Sequence, residues 1–514
     1  MIAFAAILAS YLGYRLTHRY DWTSDPVDLH VYRSGGLIVR HIRPDYNPHL
    51  AAPLYDWPGY SSLHLKFTYP PFAAVLFAVV SFIPFPALLK LTDAANAGLL
   101  VAALWSTFGG LGYRRSRRLR LGAALLAAAA VFWTEPVIRT IYIGQVNLAL
   151  MALILWDLCQ PDTSRSRWWK GAGVGIAAGI KLVPLIFIPY LLVTRKFRQA
   201  AVACAAFAAT VAAGFVFLPA DSATWWFGGL VVNGAGRTGF VGWVGNQSLR
   251  GLMTRLMGSV AGSGQAWLVV AVATVAAGLL CAALLDRKGH LVPGILTCAL
   301  TGLLVSPISW DHHWVWIAPG VAVAAHYAVQ AMAARARRAA PGRAARARAW
   351  AASRTGWGYW ALAAGMLVVY GGWPGGFWGK PPHPGPFNLG MLWVPPNTGM
   401  HTYNKFGDLP RYAEYHWHGS QLILGNAFVL GGLALFGILV VLAWIAPTPR
   451  PALPRLAATR PPGAAPLRLK SPHGAALAAA VLGYAGLGTA ALAAAAPRRS
   501  RPATAVHALR GSPR

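Results

Sequence analysis

The sequence predicts an all-α polytopic membrane protein, and three observations carry that expectation. Of 514 residues, 56% are hydrophobic and only 11% are charged, where a soluble globular chain carries roughly 25% charged residues. Too few polar side chains exist to cover a water-soluble fold of this size. The mean hydropathy is +0.47, and apolar runs of about 20 residues recur, the length a helix needs to cross a bilayer. These runs do not alternate with period two, as the strands of a membrane barrel would.

The runs fall at 1–14, 70–86, 88–110, 119–134, 142–158, 171–193, 198–219, 265–285, 290–306, 314–333, 357–373 and 421–446. They predict about 11–13 transmembrane helices in one membrane domain, residues 1–447, without a detectable repeat. The first run reads as a short span rather than a cleavable signal, because no basic residue precedes it. A later Ala/Gly run, 474–496, is long enough to span but poor in Leu, Ile and Phe. The segment 448–514 holds ten basic residues and no acid, and reads as a disordered cytoplasmic tail beside anionic lipid.

Lys and Arg number 45 against 14 acids, a net charge of +31. The bases cluster between apolar runs, which is the pattern of cytoplasmic loops and not of a nucleic-acid site. Arg195-Lys196-Phe197-Arg198, Asp286-Arg287-Lys288 and the stretch from Arg335 to Arg354 are expected inside, with 220–264, 307–313 and 374–420 outside. Arg114 to Arg120 and Arg165 to Lys170 also read as inside, which simple alternation does not deliver. A broken or re-entrant segment repairs the count. Gly179-Ile180-Lys181-Leu182-Val183-Pro184, with a charge and a proline in an apolar run, is one expected break. Ile83-Pro84-Phe85-Pro86 is the other. The four cysteines have no metal-ligand spacing.

Three long outer loops carry the candidate chemistry. The first, 15–69, holds Asp21, Asp25, Asp28, Asp45 and Asp56, five of only fourteen acids, and Leu54 to Phe67 within it is a candidate interfacial helix. Asp28 stands apart, in Val27-Asp28-Leu29-His30-Val31-Tyr32: a carboxylate among apolar neighbours loses water and gains basicity. The alternative is a solvated loop acid. Ser306-Pro307-Ile308-Ser309-Trp310-Asp311-His312-His313-Trp314 lies at the outer end of a span, where ionisable groups are costly unless used. Adjacent histidines point about 100° apart on a helix and rarely share one metal. The cluster therefore reads as a phosphate or sugar site, or else as a plain aromatic belt. Gln145 and Asn147 either bind sugar hydroxyls or tie helices together. Lys181 needs an anionic partner or a wet cavity, and it and Arg250 are candidates to neutralise a phosphate; Arg250 also reads as a surface anchor.

Taken in order, Asp28-Leu29-His30-Val31-Tyr32, Tyr69-Pro70-Pro71, Gly144-Gln145-Val146-Asn147, Ile180-Lys181-Leu182-Val183-Pro184, Asn246-Gln247-Ser248-Leu249 and Ser306 to His313 resemble glycosyltransferase family 87 of the GT-C class, the polyprenol-phosphate-mannose-dependent α-mannosyltransferases of actinobacteria. The resemblance covers residues 20–320. It implies a GT-C fold in the plasma membrane with an extracytoplasmic active site. It implies inverting transfer of mannose from polyprenyl-phosphate-mannose to a phosphatidylinositol mannoside, forming an α-1,2 linkage. Asp28 is then the catalytic base. His312 or His313, with Arg250 and Lys181, binds the donor phosphate, and Tyr32, Gln145, Asn147, Asn246, Gln247 and Asp311 bind substrate. No metal and no cofactor is expected, because the leaving group is a monophosphate. Arabinofuranosyl transfer from a decaprenyl-phosphate donor, within the same family, and a lipid-linked-sugar flippase are the alternatives.

Overall fold

The computed structural model describes residues 1–17, 26–41, 53–55, 65–114, 116–230, 240–339, 341–372, 390–396 and 413–445. Among them the chain is helical, with two isolated bridges, Thr134 to Gly371 and Asn246 to Trp310, and no strand. The helices are α1 (Ile2–Thr17), α2 (Val27–Val39), α3 (Pro71–Val80), α4 (Phe85–Gly110), α5 (Arg117–Val131), α6 (Glu135–Ile143), α7 (Asn147–Leu158), α8 (Ala172–Ile180), α9 (Phe187–Val193), α10 (Phe197–Phe217), α11 (Pro219–Phe227), α12 (Leu249–Met257), α13 (Val260–Arg287), α14 (Leu291–Val305), α15 (Ile317–Arg338), α16 (Arg343–Ala351), α17 (Arg354–Val369), α18 (Ser420–Gly425) and α19 (Ala427–Ile445). All twelve apolar runs are helical over most of their length. Five helical stretches are long and apolar enough to cross a bilayer alone, and the pair α6 and α7, bent by 115°, makes a sixth if it is one span. The protein is a multi-pass membrane protein. The 474–496 run, the 448–514 segment and Asp21, Asp25, Asp45 and Asp56 lie outside the described residues. So does most of the candidate interfacial helix: Leu54 and Tyr55 form a turn, and residues 65–68 are not helical.

Both expected breaks are present. Residues 81–84 separate α3 from α4. Helix α8 stops at Ile180, Lys181 takes an extended backbone (φ −149°, ψ 131°), and Val183–Ile186 forms a 3-10 turn into α9. Pro184 has no N–H to give and disfavours helix in the residue before it, so the helix cannot run through. The α8–α9 unit enters and leaves on one side. Lys170, just ahead of α8, pairs with Asp162 at 3.5 Å, and Arg198, just after α9, approaches the same carboxylate at 3.6 Å. Lys181 therefore stands at the tip of a re-entrant hairpin.

The same contacts gather the basic segments on one face. Arg114 Nη2 donates to the Cys159 carbonyl at 2.8 Å, Lys196 pairs with Asp286 at 2.6 Å, and Arg287 Nη2 donates to the Val193 carbonyl. The irregularity of charge in the front half is thus resolved by the hairpin. A bend that the sequence reading did not anticipate lies at Gly144 (φ +74°), between α6 and α7. Helix α6 itself was hidden in the gap between two apolar runs.

Helix α2 rests on α3 through Gly36. A Cβ there would lie 2.2 Å from the Phe77 carbonyl oxygen, and backbone cannot move aside as a flexible side chain does. Gly36→Val is expected to push α2 off α3 at a cost of about 1–3 kcal/mol. It should lower the melting temperature of detergent-solubilised protein by several degrees; an unchanged melt would show that the helix pair adapts.

Candidate active site

Helix α2 sets the first group. Asp28 lies in its first turn, and Tyr32, four residues on, shares its face. The Tyr32 hydroxyl donates to Gln145 Oε1 at 2.8 Å and lies 2.8 Å from the Tyr69 hydroxyl; Gln145 Nε2 donates to that Tyr69 oxygen at 3.1 Å. The Gln145 side chain also hydrogen-bonds the Asp28 carboxyl. Gly144 makes this approach possible. It adopts a left-handed backbone that favours glycine, and a Cβ on it would lie 2.7 Å from Leu29 Cβ. Burial lifts the Asp28 carboxyl above its ordinary range. The neighbouring His312 and Lys181, the Gln145 side chain and Arg139 pull it back in part.

Asn147, at the start of α7, joins two further pieces. Its Oδ1 accepts from Lys181 Nζ at 3.0 Å, and its Nδ2 donates to the His312 carbonyl at 3.0 Å. The Thr140 hydroxyl donates to that same carbonyl at 2.9 Å. Lys181 Nζ lies 3.0 Å from His313 Nε2. An ammonium has no acceptor to offer, so His313 accepts there and carries its proton on Nδ1. The Lys181 hairpin tip, Asn147 and the 311–313 segment are thereby locked together. A cavity of about 50 Å³ has Asn147, Lys181 and His313 at its polar end, and Val183, Phe187, Leu303 and Trp316 along its apolar walls. A second, of about 140 Å³, is lined by α14, α15, α17 and α19 and shares Leu303 and Trp316 with the first.

The structure thus brings together Asp28, Tyr32, Gln145, Asn147, Lys181, Asp311, His312 and His313. Three of the sequence candidates lie elsewhere, and a fourth, Asp311, is in the cluster but faces other protein groups. Asn246 and Gln247 are fully buried, and their amides serve the backbone. Asn246 accepts from the Ser309 N–H and donates to the Val241 and Pro307 carbonyls. Gln247 accepts from the N–H groups of Phe428 and Val429 and donates to the Val244 and Gly425 carbonyls. They are sutures between loops, with no amide left for a sugar. Arg250 lies over the Trp267 ring, 5.2 Å from its centroid, as an anchor would. Asp311, read as a substrate ligand, is 1% exposed and faces Arg139 and His312 instead.

Sequence reasoning missed Tyr69 as a partner of Gln145, and missed Glu135 and Arg139 altogether. A signal existed: Thr134-Glu135-Pro136 is a helix start, and Glu135 with Arg139 is an i,i+4 charge pair amid apolar sequence. Among the described residues no group of three or more His, Cys, Asp or Glu is arranged to hold a metal.

Comparison with known proteins gives the family. Residues 67–307 match the family model of glycosyltransferase family 87. The chain is 37% identical over 301 residues to a polyprenol-phosphate-mannose-dependent alpha-(1-2)-phosphatidylinositol pentamannoside mannosyltransferase of Mycobacterium tuberculosis (strain CDC 1551 / Oshkosh), covering 57% of this chain and 64% of that one. It is 32% identical over 329 residues to a polyprenol-phosphate-mannose-dependent alpha-(1-2)-phosphatidylinositol mannoside mannosyltransferase of Mycobacterium tuberculosis (strain ATCC 25618 / H37Rv), covering 62% and 74%. A pentamannoside mannosyltransferase of Mycolicibacterium smegmatis is 34% identical over 301 residues, covering 57% and 68%. Among solved structures, ArnT from Cupriavidus metallidurans bound to undecaprenyl phosphate is similar at a TM-score of 0.30 and 15% identity, over 84% of this chain and 76% of that one. With its motifs, its helical membrane architecture and these relatives, the chain belongs to glycosyltransferase family 87.

Proposed function

We propose that this protein transfers mannose from polyprenyl-phosphate-mannose to a phosphatidylinositol mannoside, with inversion, forming an α-1,2 linkage on the extracytoplasmic side. The observation that carries the reading is the convergence of Asp28, Lys181, His312 and His313 about Gln145 and Asn147. That cluster joins a carboxylate of raised basicity to the Lys181 ammonium and two histidines beside an apolar cavity. The relatives' names supply the sugar, the donor and the acceptor class.

In this reading Asp28 takes the proton of an acceptor hydroxyl as its oxygen attacks the anomeric carbon. The new C–O bond forms as the bond from that carbon to the phosphate oxygen breaks, and polyprenyl phosphate leaves as an anion. Lys181, braced by Asn147 and His313, faces the developing charge, and His312 supports it from the other side. The two adjoining apolar cavities offer room for hydrocarbon. A lipid-linked monophosphate needs less charge neutralisation than a nucleotide diphosphate, in keeping with a site built from protein cations.

Orientation is inferred from charge. Helix α7 runs from the cluster to the basic loop at 165–170, α9 to 195–198 and α15 to 335–354, and α14 climbs to the cluster from 286–288. Helices leaving the cluster end on the basic face, which the positive-inside rule assigns to the cytoplasm. Twelve residues of α7 rise about 18 Å, which suits a site in the outer half of a bilayer core about 30 Å thick.

Purified full-length protein, radiolabelled polyprenyl-phosphate-mannose and a phosphatidylinositol mannoside should yield a longer glycolipid; absence of transfer to that acceptor would refute the assignment. The pH profile follows from the site. A base works deprotonated, so kcat/KM should rise through the raised pKa of Asp28, with an acid limb above the ordinary aspartate range. A limb at or below about pH 4 would contradict an Asp28 base.

A further inference from the structure

We infer that Arg139 is a positioning residue for this transfer: it clamps Asp311, and through Asp311 it holds His312 against the catalytic carboxylate. The inference rests on the reading of Asp28 given above. Arg139 Nε lies 2.8 Å from Asp311 Oδ2, and Asp311 Oδ1 lies 3.3 Å from His312 Nδ1. The backbone of His312 is held independently, because Thr140 and Asn147 both donate to its carbonyl. Thr140 follows Arg139 on α6, so one helix fixes both the ring and the main chain of His312.

Two wholly buried carboxylates flank the guanidinium. Glu135, 0% exposed and one turn before Arg139, accepts from Trp393 Nε1, and Asp311 is 1% exposed. The Arg139 guanidinium lies 5.0 Å from the Trp393 ring centroid. Buried charges persist when they are paired and are strongly destabilising when one partner is lost. Asp311 Oδ1 thus faces His312 Nδ1 at ion-pair distance, without a hydrogen bond between them. Neither ring nitrogen of His312 has a hydrogen-bond partner among the described residues, so the ring keeps hydrogen-bonding capacity for a group that arrives with substrate.

The charged and titratable groups around Asp28 are His312 and His313 from the 311–316 turn, Lys181 from the hairpin tip, Arg139 from α6 and the hydroxyls of Tyr32 and Tyr69. Of these, His312, Lys181 and Arg139 each favour the ionised Asp28 carboxylate. Removing the Arg139 charge thus lets the Asp28 carboxyl climb, and a base that climbs is protonated to a higher pH. A role confined to holding the fold would not move that titration.

The test is the pH profile of full-length Arg139→Gln and Arg139→Lys, assayed with polyprenyl-phosphate-mannose and a phosphatidylinositol mannoside and compared by thermal melting. Arg139→Gln is expected to lower kcat by about 10–100-fold, with donor KM within about threefold. Its acid limb should move to higher pH. Arg139→Lys keeps the charge; its limb should stay with the wild type and its kcat should recover at least tenfold over Gln. An unmoved limb in the Gln variant, or equal losses in both variants, overturns the inference. Should the Gln variant fail to fold, the Lys variant decides. A limb in the wild-type position with less than tenfold loss supports the inference, and a shifted limb or a loss beyond a hundredfold overturns it. Transfer that no longer depends on Asp28 would overturn the underlying reading instead, whatever the Arg139 variants do.

Discussion

Asp28→Asn is expected to reduce mannose transfer by about 10² to 10⁴-fold, the usual contribution of a general base, or about 3–5 kcal/mol of transition-state stabilisation. Asparagine is nearly isosteric and can still hydrogen-bond Gln145, so the Tyr32–Tyr69–Gln145 network and the α2–α3 packing should survive. Donor KM should change little, because the carboxylate acts on the acceptor hydroxyl. The measurement is kcat with both substrates saturating, on protein whose melting temperature matches the wild type. A folded Asn variant with full turnover would remove the base from Asp28, and with it the proposed mechanism.

Lys181→Met is the second large effect. The substitution keeps most of the side-chain length and removes the ammonium from the polar end of the cavity. It should lower kcat/KM for the lipid donor by about 10² to 10³-fold, as the loss of a group stabilising a developing anion does. The hairpin turn should persist, because Pro184 rather than Lys181 prevents helix continuation. Asn147 Oδ1 loses a donor, at a cost of about 1–3 kcal/mol, so stability must be measured beside activity. Lys181→Arg retains the charge and is expected to keep a larger part of the activity than Met. Equal donor kinetics in wild type and Met would show that the leaving phosphate is met elsewhere.

Much of the fold was legible because the bilayer makes the pattern obligatory. An apolar run can remain in hydrocarbon only as helix, and the twelve runs that fall within the described residues are helical over most of their length. The elements that gather at the cluster were legible for the complementary reason. Lys181 in an apolar run, amides at the head of α7 and acid beside histidine between tryptophans are all costly in that setting unless paired, and the structure pairs them. Arg250 and the 246–247 amides illustrate what such reasoning lacks. An amide that binds a sugar and one that binds a peptide carbonyl are the same residue in a sequence, and only the path of the neighbouring chain separates them. Helix α6 escaped for another reason. Its Glu135 and Arg139 interrupt the apolar pattern and read as loop, although Arg139 pairs with Asp311 and Glu135 accepts from Trp393 within the protein.

Gln247 joins a loop near residue 245 to the beginning of α19, and the N–H of Asp311 donates to the Gly245 carbonyl. Arg255 completes the seam, with Nε and Nη2 both donating to Asn426 Oδ1, at 2.8 and 2.6 Å. Helix α19 is therefore a keystone that holds the histidines in register from a distance. A two-plasmid version of this protein, divided between α17 and α18, should regain function only when both pieces are made together, although none of the described residues of α18 and α19 belongs to the cluster.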